Sequence, residues 1–273
     1  MRGVSPPRGV RPASLRGHQP RKRFGQHFLD DQGVIDDLIE SIGPQRTDVM
    51  VEIGPGLGAL TEPLLACLDH LHVVEIDRDL ARGLRESVSS THLTVHETDA
   101  LQFDLALVGE RIRVVGNLPY NISTPLIFHL LDQAARIDDM HFMLQKEVVE
   151  RMAAEAGSTA YGRLSVMVQH RCEVQWLFDV PPESFNPPPA VDSAIVRLVP
   201  RAPDDLGAID PGVLSAVVTA AFSHRRKTLR NALSGVVSAA TLESLDIDPS
   251  LRAEMIGYLD WRRIARASMV QQH

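Results

Sequence analysis

The chain has 273 residues, of which 44% are hydrophobic and 23% charged, a composition typical of a soluble globular protein with a substantial core. No segment approaches the roughly 20 apolar residues that a membrane-spanning helix needs. The formal charge of −7 conceals a basic N-terminus: residues 1–23 hold seven Arg and Lys and no acid, leaving 21 basic and 35 acidic groups elsewhere.

The N-terminal segment predicts a disordered basic extension over residues 1–20, because prolines and glycines are frequent there and apolar side chains are scarce. It lacks the apolar stretch of a secretory signal, and an organelle transit peptide is the less favoured interpretation of its arginines. Cys67 and Cys172 lie far apart without nearby Cys or His pairs, which argues against a disulfide framework or a zinc site. We therefore expect a cytoplasmic protein that binds no metal.

Ordered structure is expected to begin near Arg21, and strands then alternate with helices. Apolar residues at helical spacing predict a first helix over 32–42. Strands are predicted over 48–54, 70–77, 93–100, 111–117 and 139–144, and helices over 57–68, 78–88, 124–135 and 146–154. Two β-like segments around a proline-rich loop in 173–200 predict an antiparallel hairpin at one edge. This alternation predicts an α/β fold with a doubly wound parallel sheet.

The strand signals stop at a linker rich in Pro, Gly and Asp over 200–210. Helices are predicted over 211–224, 227–237, 239–247 and 261–270. The predicted organisation is the extension 1–20, an α/β domain over 21–200 and a small all-helical domain over 201–273. The last domain holds two basic clusters, HRRKTLR at 224–230 and WRRIAR at 261–266. On an otherwise acidic chain, such clusters favour contact with a polyanion over merely solvated helix faces.

Three successive predicted strands end in features that suit an adenosine ligand. The first ends in a turn with Gly54, Gly56 and Gly58, which permits close approach of the backbone to a ligand without matching the dinucleotide-binding spacing. Glu75 ends the second strand and can accept both ribose hydroxyls. Asp99 ends the third and can accept from the amine of adenine. Either acid alone is equally well explained as a helix cap, but together they predict a site for NAD or S-adenosylmethionine (SAM).

The fourth predicted strand ends in Asn117-Leu118-Pro119-Tyr120, a combination that an ordinary turn does not require. The Asn117 side-chain oxygen and a backbone carbonyl near Leu118 would accept hydrogen bonds from both N–H groups of an exocyclic amine. These bonds would localise the lone pair of the nitrogen. Pro119 would keep the loop rigid, and Tyr120 offers a face for a base drawn out of its stack. In isolation, a turn with a packed tyrosine explains the motif. After the preceding strand ends, it predicts methyl transfer to a base amine.

Long blocks of the sequence resemble the KsgA-type ribosomal RNA adenine N6,N6-dimethyltransferases. These blocks are VEIGPGLGALTEPLL, GNLPYNISTPLIFHLL, MLQKEVVERM, YGRLSVMVQ, FNPPPAVDSAIVRL and AFSHRRKTLRNAL, and the likeness runs from about Arg21 to near Arg266. The resemblance implies a Rossmann-like class I SAM-dependent methyltransferase fold with a helical C-terminal domain. It also implies transfer of four methyl groups from SAM, leaving S-adenosylhomocysteine, to two adjacent adenines in the 3′-terminal hairpin loop of small-subunit (16S) rRNA, late in ribosome assembly.

The resemblance extends to single residues of the site. It implies that the cofactor is contacted by His27, Leu29, Gly54, Gly56, Glu75, Asp99 and Asn117. The family has either Asn or His at the position of His27, so that contact is expected through the backbone. Phe185 resembles the aromatic residue that meets the base on the face opposite Tyr120, and the proline run after it would fix its loop. A buried core phenylalanine is the alternative.

The basic clusters acquire a role under this resemblance. The residues predicted to bind RNA are Arg21, Lys22, Arg23, Arg225, Arg226, Lys227 and Arg230. The last four fall on a predicted helix, where they would meet phosphates of structured rRNA. The expected partner is small-subunit rRNA within a pre-30S particle, and the chain is expected to act as a monomer because no dimerisation feature is evident.

Three alternatives remain open at this point. An Erm-type methyltransferase of large-subunit rRNA shares the strand-end motifs, although the RRKTLRNAL and FNPPPAVDS blocks favour the small-subunit enzyme. A NAD-dependent dehydrogenase explains Gly54 and Glu75 but leaves Asn117 to Tyr120 without a role. A non-catalytic RNA-binding assembly factor would use the same fold, although the complete set of motifs favours an active site.

Overall fold

The computed structural model describes residues 27–207, 209–224 and 226–270. They form two compact units, the first comprising residues up to 146 together with 177–197, and the second residues 147–176 together with those from 198 onward. The predicted extension and the basic residues Arg21, Lys22 and Arg23 lie outside the described residues, as does Arg225. Compactness does not define a functional domain, so the predicted boundaries at residues 20 and 200 stay predictions.

The described residues contain nine strands and eleven α-helices. The strands are β1 (Phe28–Leu29), β2 (Val49–Ile53), β3 (Leu71–Glu75), β4 (Leu93–Glu97), β5 (Ile112–Asn117), β6 (Ile137–Gln145), β7 (Cys172–Val180), β8 (Phe185–Asn186) and β9 (Ser193–Pro200). The helices are α1 (Gln32–Ile42), α2 (Thr61–Cys67), α3 (Arg78–Ser87), α4 (Ser123–Leu131), α5 (Lys146–Ala153), α6 (Arg163–Arg171), α7 (Pro203–Leu206), α8 (Pro211–Phe222), α9 (Leu229–Ala232), α10 (Ala239–Ser244) and α11 (Tyr258–Val270). No helix of the described ranges is both long and apolar enough to cross a membrane.

A seven-stranded sheet of order β4-β3-β2-β5-β6-β9-β7 is the centre of the fold. β2 pairs in parallel with both β3 and β5, β3 with β4, and β5 with β6. The chain therefore leaves β2 towards one edge of the sheet and returns to build the other half from β5. Open α/β sheets bind ligands where the strand order reverses in this way, beyond the carboxyl ends of the strands. The α/β prediction is confirmed, and the site is expected between the ends of β2 and β5.

The first helix shows how local sequence sets an element beside this sheet. Asp31 caps α1 by accepting from the backbone N–H groups of Gly33 and Val34, and Gly43 ends the helix with a φ of 55°. Its buried residues, Ile35, Leu38 and Ile42, repeat at helical spacing. They join an apolar core with side chains from β2, β3, α2 and α3, which fixes one face of the sheet.

The second unit has a helical core of its own. Trp261 on α11 is completely buried, and Ile264, Ala265 and Ser268 follow it on the same helix face. Leu214, Val217 and Val218 of α8 are also buried. This spacing leaves the opposite face of α11, which carries Arg262, Arg263 and Arg266, outside the core.

Some predicted elements differ from those observed. The prediction of a helix over 227–237 is wrong beyond α9, because the chain turns at Ser234 and Gly235. α6 was not predicted, since it is buried on nearly every side and therefore lacks amphipathic periodicity. A second, two-stranded sheet of β1 and β8 was also not predicted. It pairs Leu29 with Phe185 in antiparallel register.

Candidate functional site

A cavity lies at the carboxyl ends of β2, β3 and β5, with the segment after β4 on one side. All predicted cofactor contacts and all predicted catalytic residues except Phe185 line it: His27, Leu29, Gly54, Gly56, Glu75, Asp99, Asn117, Leu118, Pro119 and Tyr120. Residues from five separate parts of the chain are thus brought to one place, as expected for a ligand site of a doubly wound sheet.

The glycine turn gives this cavity a wall without side chains. Gly54 and Gly56 have φ values of 67° and 57°, which only glycine adopts readily. A Cβ atom at Gly56 would also lie 3.2 Å from the ring of Phe28. Any larger residue would therefore strain the turn and push against β1, narrowing the cavity.

The carboxyl group of Glu75 is held by the backbone around it. Its Oε1 accepts from the N–H of Asp77 at 2.8 Å and its Oε2 from the N–H of Gly56 at 3.3 Å. Burial raises the pKa of Glu75, while these hydrogen bonds act in the opposite direction. The second bond joins the end of β3 to the glycine turn after β2. This bond therefore holds Gly56 and Glu75, two of the predicted cofactor contacts, in a fixed position relative to each other.

Asp99 is a helix cap that also lies at the cavity, so its contact with an adenine amine stays a prediction. Its Oδ1 accepts from the N–H of Leu101 at 2.9 Å and caps the short 3₁₀ turn at Ala100–Gln102. The residue also lines the cavity. The capping bond holds the Asp99 side chain in place through Oδ1, and Oδ2 takes no part in that bond.

Glu52 is an acidic residue of the site that the sequence analysis missed. It is 1% exposed, lines the cavity, and accepts a hydrogen bond from the Thr61 hydroxyl at 2.7 Å. Burial raises the pKa of Glu52 to about 8; the Thr61 bond opposes this shift and nearby Glu75 adds to it. The available signal was a carboxyl group inside an otherwise apolar strand, which demands a specific explanation.

Asn117 is oriented by a residue from the start of the described chain. Its Nδ2 donates to the backbone carbonyl of His27 at 3.0 Å. Because a carbonyl can only accept, this bond assigns the NH₂ group of the amide unambiguously. Within the described ranges nothing donates to the other amide atom, Oδ1, which therefore stays available as an acceptor.

The loop after Asn117 offers a second acceptor. The Leu118 side chain is buried, and its N–H donates to the carbonyl of Met143 at 3.2 Å. The carbonyls of Pro119 and Tyr120 accept from Ile122 and Ser123. The Leu118 carbonyl, in contrast, receives no hydrogen bond from the part of the chain that the structure describes. Two acceptors on consecutive residues thus remain at the cavity.

Tyr120 is held by contacts with two other segments. Its hydroxyl shares a hydrogen bond of 2.6 Å with that of Ser193, and its ring is stacked on the His27 imidazole with centroids 5.9 Å apart and planes at 23°. The His27 Nδ1 lies 2.8 Å from the Pro187 carbonyl and donates to it. Burial raises the pKa of Tyr120, so the phenol keeps its proton at neutral pH.

Gly116 is a further residue that the sequence analysis missed. A Cβ atom there would lie 2.5 Å from the carbonyl oxygen of Ile53, closer than non-bonded atoms approach. Only glycine therefore lets the end of β5 come this near to the end of β2, which sets Asn117 beside the glycine turn. A glycine inside an apolar strand was the signal for such an approach.

Phe185 is placed differently from the other predicted catalytic residues. It is 4% exposed and belongs to the apolar core, where β8 pairs with β1. This burial agrees with the alternative that Phe185 is a core residue. Phe185 does not line the cavity, and its contact with a base stays a prediction.

The described arginines and lysine of the cluster at 224–230 are exposed, but only one of them lies on a helix. Arg226 and Lys227 occupy the turn between α8 and α9, so their predicted helical location is wrong. Arg230 is on α9, and its guanidinium lies 3.9 Å from the Glu243 carboxylate, a contact that is too exposed to neutralise it strongly. No cluster of three or more possible metal ligands occurs among the described residues.

Comparison with known proteins identifies the family of this chain. Residues 17–268 match the family model for ribosomal RNA adenine dimethylase. The ribosomal RNA small subunit methyltransferase A of Dechloromonas aromatica is 55% identical over 251 residues, which cover 92% of this chain and 98% of that protein. The protein of the same name from Nitrosococcus oceani is 57% identical over 254 residues, or 92% of this chain and 96% of the relative.

Solved structures show the same relationship. A dimethyladenosine transferase from Plasmodium falciparum has a TM-score of 0.76 and 28% identity, covering 87% of this chain and 96% of its own. The 23S rRNA methyltransferase ErmE has a TM-score of 0.70 and 26% identity, covering 89% and 99%. The family model spans most of the sequence, including every described residue that we placed at the cavity, and the chain belongs to the ribosomal RNA adenine dimethylase family.

Proposed function

We propose that this chain uses SAM to dimethylate the N6 amines of two adjacent adenines in the 3′-terminal hairpin loop of small-subunit rRNA. The observation that carries the proposal is the fixed amide of Asn117, whose Nδ2 is bound to His27 so that Oδ1 remains an acceptor in the cavity. The likeness to small-subunit methyltransferases over most of the chain supports this substrate over the large-subunit alternative.

The residues of the cavity fit an adenosine cofactor that carries positive charge. The glycine turn leaves room for close backbone approach, and a Cβ atom at Gly56 would fill part of that room. Glu75 and Asp99 supply carboxyl oxygens at two neighbouring strand ends, suited to the ribose hydroxyls and the adenine amine. The bound cofactor supplies an electrophilic methyl group. We propose that His27, through its backbone, and Leu29 complete its contacts.

The target amine is a weak nucleophile because its lone pair is delocalised into the adenine ring. Asn117 Oδ1 and the Leu118 carbonyl would accept hydrogen bonds from its two N–H groups and draw the nitrogen towards a tetrahedral shape. Pro119 removes a backbone donor and restricts the loop, so these acceptors stay aimed. Holding the amine in line with the methyl group provides most of the remaining acceleration.

Aromatic residues would receive the base once it leaves its stack. Tyr120 presents a ring that Ser193 and His27 already hold in place, so little ordering is required on binding. Stacking of this kind contributes about 1–3 kcal/mol per base. We propose that Phe185 covers the opposite face after the β1–β8 segment moves.

The basic residues outside the cavity would position the RNA. We propose phosphate contacts for Arg21, Lys22, Arg23, Arg225, Arg226, Lys227 and Arg230, which fix register rather than read sequence. The substrate would be rRNA within a pre-30S particle in the cytoplasm, because two adjacent bases must be accessible for extraction. The enzyme would act as a monomer without a metal.

Methyl transfer to isolated subunits tests the proposal. Small subunits from a strain that lacks the modification are incubated with tritiated SAM, with unmodified large subunits and Asn117→Ala enzyme in parallel. Close to four methyl groups per small subunit, lost in the variant, is the expected result. Label on large subunits would instead identify an Erm-type enzyme. Tight binding to small subunits without label would indicate an assembly factor.

A further inference from the structure

Two arginines on the outer face of α11 converge on one point. Seen from Gly207, a Cβ atom would lie 2.9 Å from the Nη2 of Arg266 and 3.3 Å from the Nη2 of Arg262. Gly207 has a φ of 64° and no side chain, so both guanidinium groups can pack against its backbone, where a Cβ atom would meet them. Two guanidinium groups are therefore directed at the same spot beside the backbone.

Neither arginine has an acidic partner in the described ranges. Asp204 and Asp205 stand just before Gly207 on α7, yet neither forms an ion pair with Arg262 or Arg266. Two like charges four residues apart on a helix repel each other, so convergence without a carboxylate is unfavourable in the free protein. The arrangement suits a single anion that contacts both guanidinium groups.

Arg263 is different, although it lies on the same face. Its Nη1 donates to the Asp260 carboxylate at 2.8 Å, and its Nη2 donates to the Leu245 carbonyl at 2.6 Å. Its donors are used within the protein. The three arginines therefore divide into one structural residue and two that receive no carboxylate from the described part of the chain.

The surroundings of Arg262 are positively charged. Burial, together with the charges of Arg262, Arg171 and Arg201, lowers the pKa of His170 to about 4. His170 is therefore neutral at physiological pH and adds no further positive charge. A groove with an apolar floor runs beside the arginines, and its Leu259 is 56% exposed.

We propose that Arg262 and Arg266 form a phosphate-binding site for the backbone of ribosomal RNA, separate from the basic cluster at 224–230. The planar fork of arginine matches the oxygens of a phosphodiester, and two neighbouring forks suit a single phosphate of a folded strand. The apolar floor accommodates a ribose face. This inference rests on the proposed rRNA substrate and assigns α11 a part in holding it.

The test measures the affinity of the full-length enzyme for unmethylated small subunits across a series of KCl concentrations. The variants are Arg262→Gln, Arg266→Gln and their double, with Arg263→Gln as the matched loss of one charge from the same face. Thermal unfolding and SAM affinity are measured for each, to separate misfolding from loss of contact.

The double variant is expected to bind on the order of tenfold more weakly at moderate salt. The slope of log affinity against log salt should become shallower by about 0.7–0.9 in the double variant, because one phosphate contact is lost. Arg263→Gln should leave that slope unchanged.

Parental affinity and slope in the double variant, or an equal change in Arg263→Gln, would overturn the assignment. Weaker binding with the parental slope would also overturn it, because it would point to a ribosomal protein rather than to phosphates. Failure of the parent itself to bind small subunits would instead contradict the proposed function.

Discussion

The side-chain amide of Asn117 donates to the backbone carbonyl of His27 across 3.0 Å, so a single hydrogen bond decides which atom of Asn117 faces a substrate. This contact joins the end of β5 to the chain just before β1. It uses the backbone of residue 27 and therefore does not depend on the imidazole of His27.

Replacing Asn117 tests the proposed clamp on the amine. Asn117→Ala removes one acceptor, and we expect kcat for methyl transfer to fall about 10²–10³-fold, as when one preorganised hydrogen bond to a reacting group is lost. Asn117→Asp should also be impaired, because a carboxylate cannot donate to the His27 carbonyl. His27→Ala provides the comparison, with a smaller loss since that carbonyl remains. A kcat within about threefold of the parent in Asn117→Ala would contradict the assignment.

Tyr120 allows the ring and the hydroxyl to be tested separately. Tyr120→Phe keeps the ring and loses the bond to Ser193, so we expect most of kcat/KM to be retained. Tyr120→Ala should lower kcat/KM by about 10- to 100-fold, corresponding to the loss of base stacking. Ser193→Ala breaks the same hydrogen bond from the other side and should match Tyr120→Phe. Equal losses in the Phe and Ala variants would show that the hydroxyl is the important group.

Phe185→Leu separates a core role from a base contact. Leucine preserves most of the apolar volume, so the free energy of unfolding should fall by less than about 1.5 kcal/mol. If the ring covers the base, as proposed, kcat/KM should fall about tenfold while SAM affinity stays at the parental value. Urea denaturation and steady-state kinetics measure the two quantities. Reduced stability with unchanged kinetics would assign Phe185 to the core alone.

Gly116→Ala tests the close approach of β5 to β2. The new methyl group would meet the Ile53 carbonyl at 2.5 Å, and relief of this overlap should cost about 1–3 kcal/mol of stability. Because the shift separates Asn117 from the glycine turn, SAM affinity should also fall. Gly257→Ala is the control, since no atom of the described residues lies within 4 Å of the place its Cβ would take. Calorimetry measures the stability and equilibrium dialysis the SAM affinity. Similar losses in both variants would refute the steric explanation.

Glu52→Gln should alter how stability depends on pH. The pKa of Glu52 is about 8 in the folded protein and near 4.5 when unfolded, so the folded state retains a proton that the unfolded chain releases. The parent therefore loses stability as pH rises from about 4.5 to 8, while glutamine removes this dependence and keeps an acceptor for Thr61. Urea unfolding at about pH 5 and pH 8 should show the variant gaining on the parent by a few kcal/mol. A difference that does not change with pH would contradict the buried proton.

The sequence predicted the parts of this molecule that depend on local pattern. Strand ends carrying Gly54, Glu75, Asp99 and Asn117 were recognisable because parallel strands deliver their ends to one edge. Glu52 and Gly116 were not recognised, since their importance arises from burial and from the distance between two strands. α6 was missed because a helix buried on all sides has no polar stripe to reveal its period.

The pairing of Leu29 with Phe185 has a consequence for folding during translation. Residues 27–29 leave the ribosome early, but their partners at 185–187 emerge only after the strands up to β7 have been translated. Contacts between such distant segments close late, whatever the order in which the helices form. The complete cavity therefore depends on one of the last parts of the first unit to be synthesised. A nascent chain that stops before residue 187 lacks the backbone carbonyl of Pro187 that binds the His27 side chain.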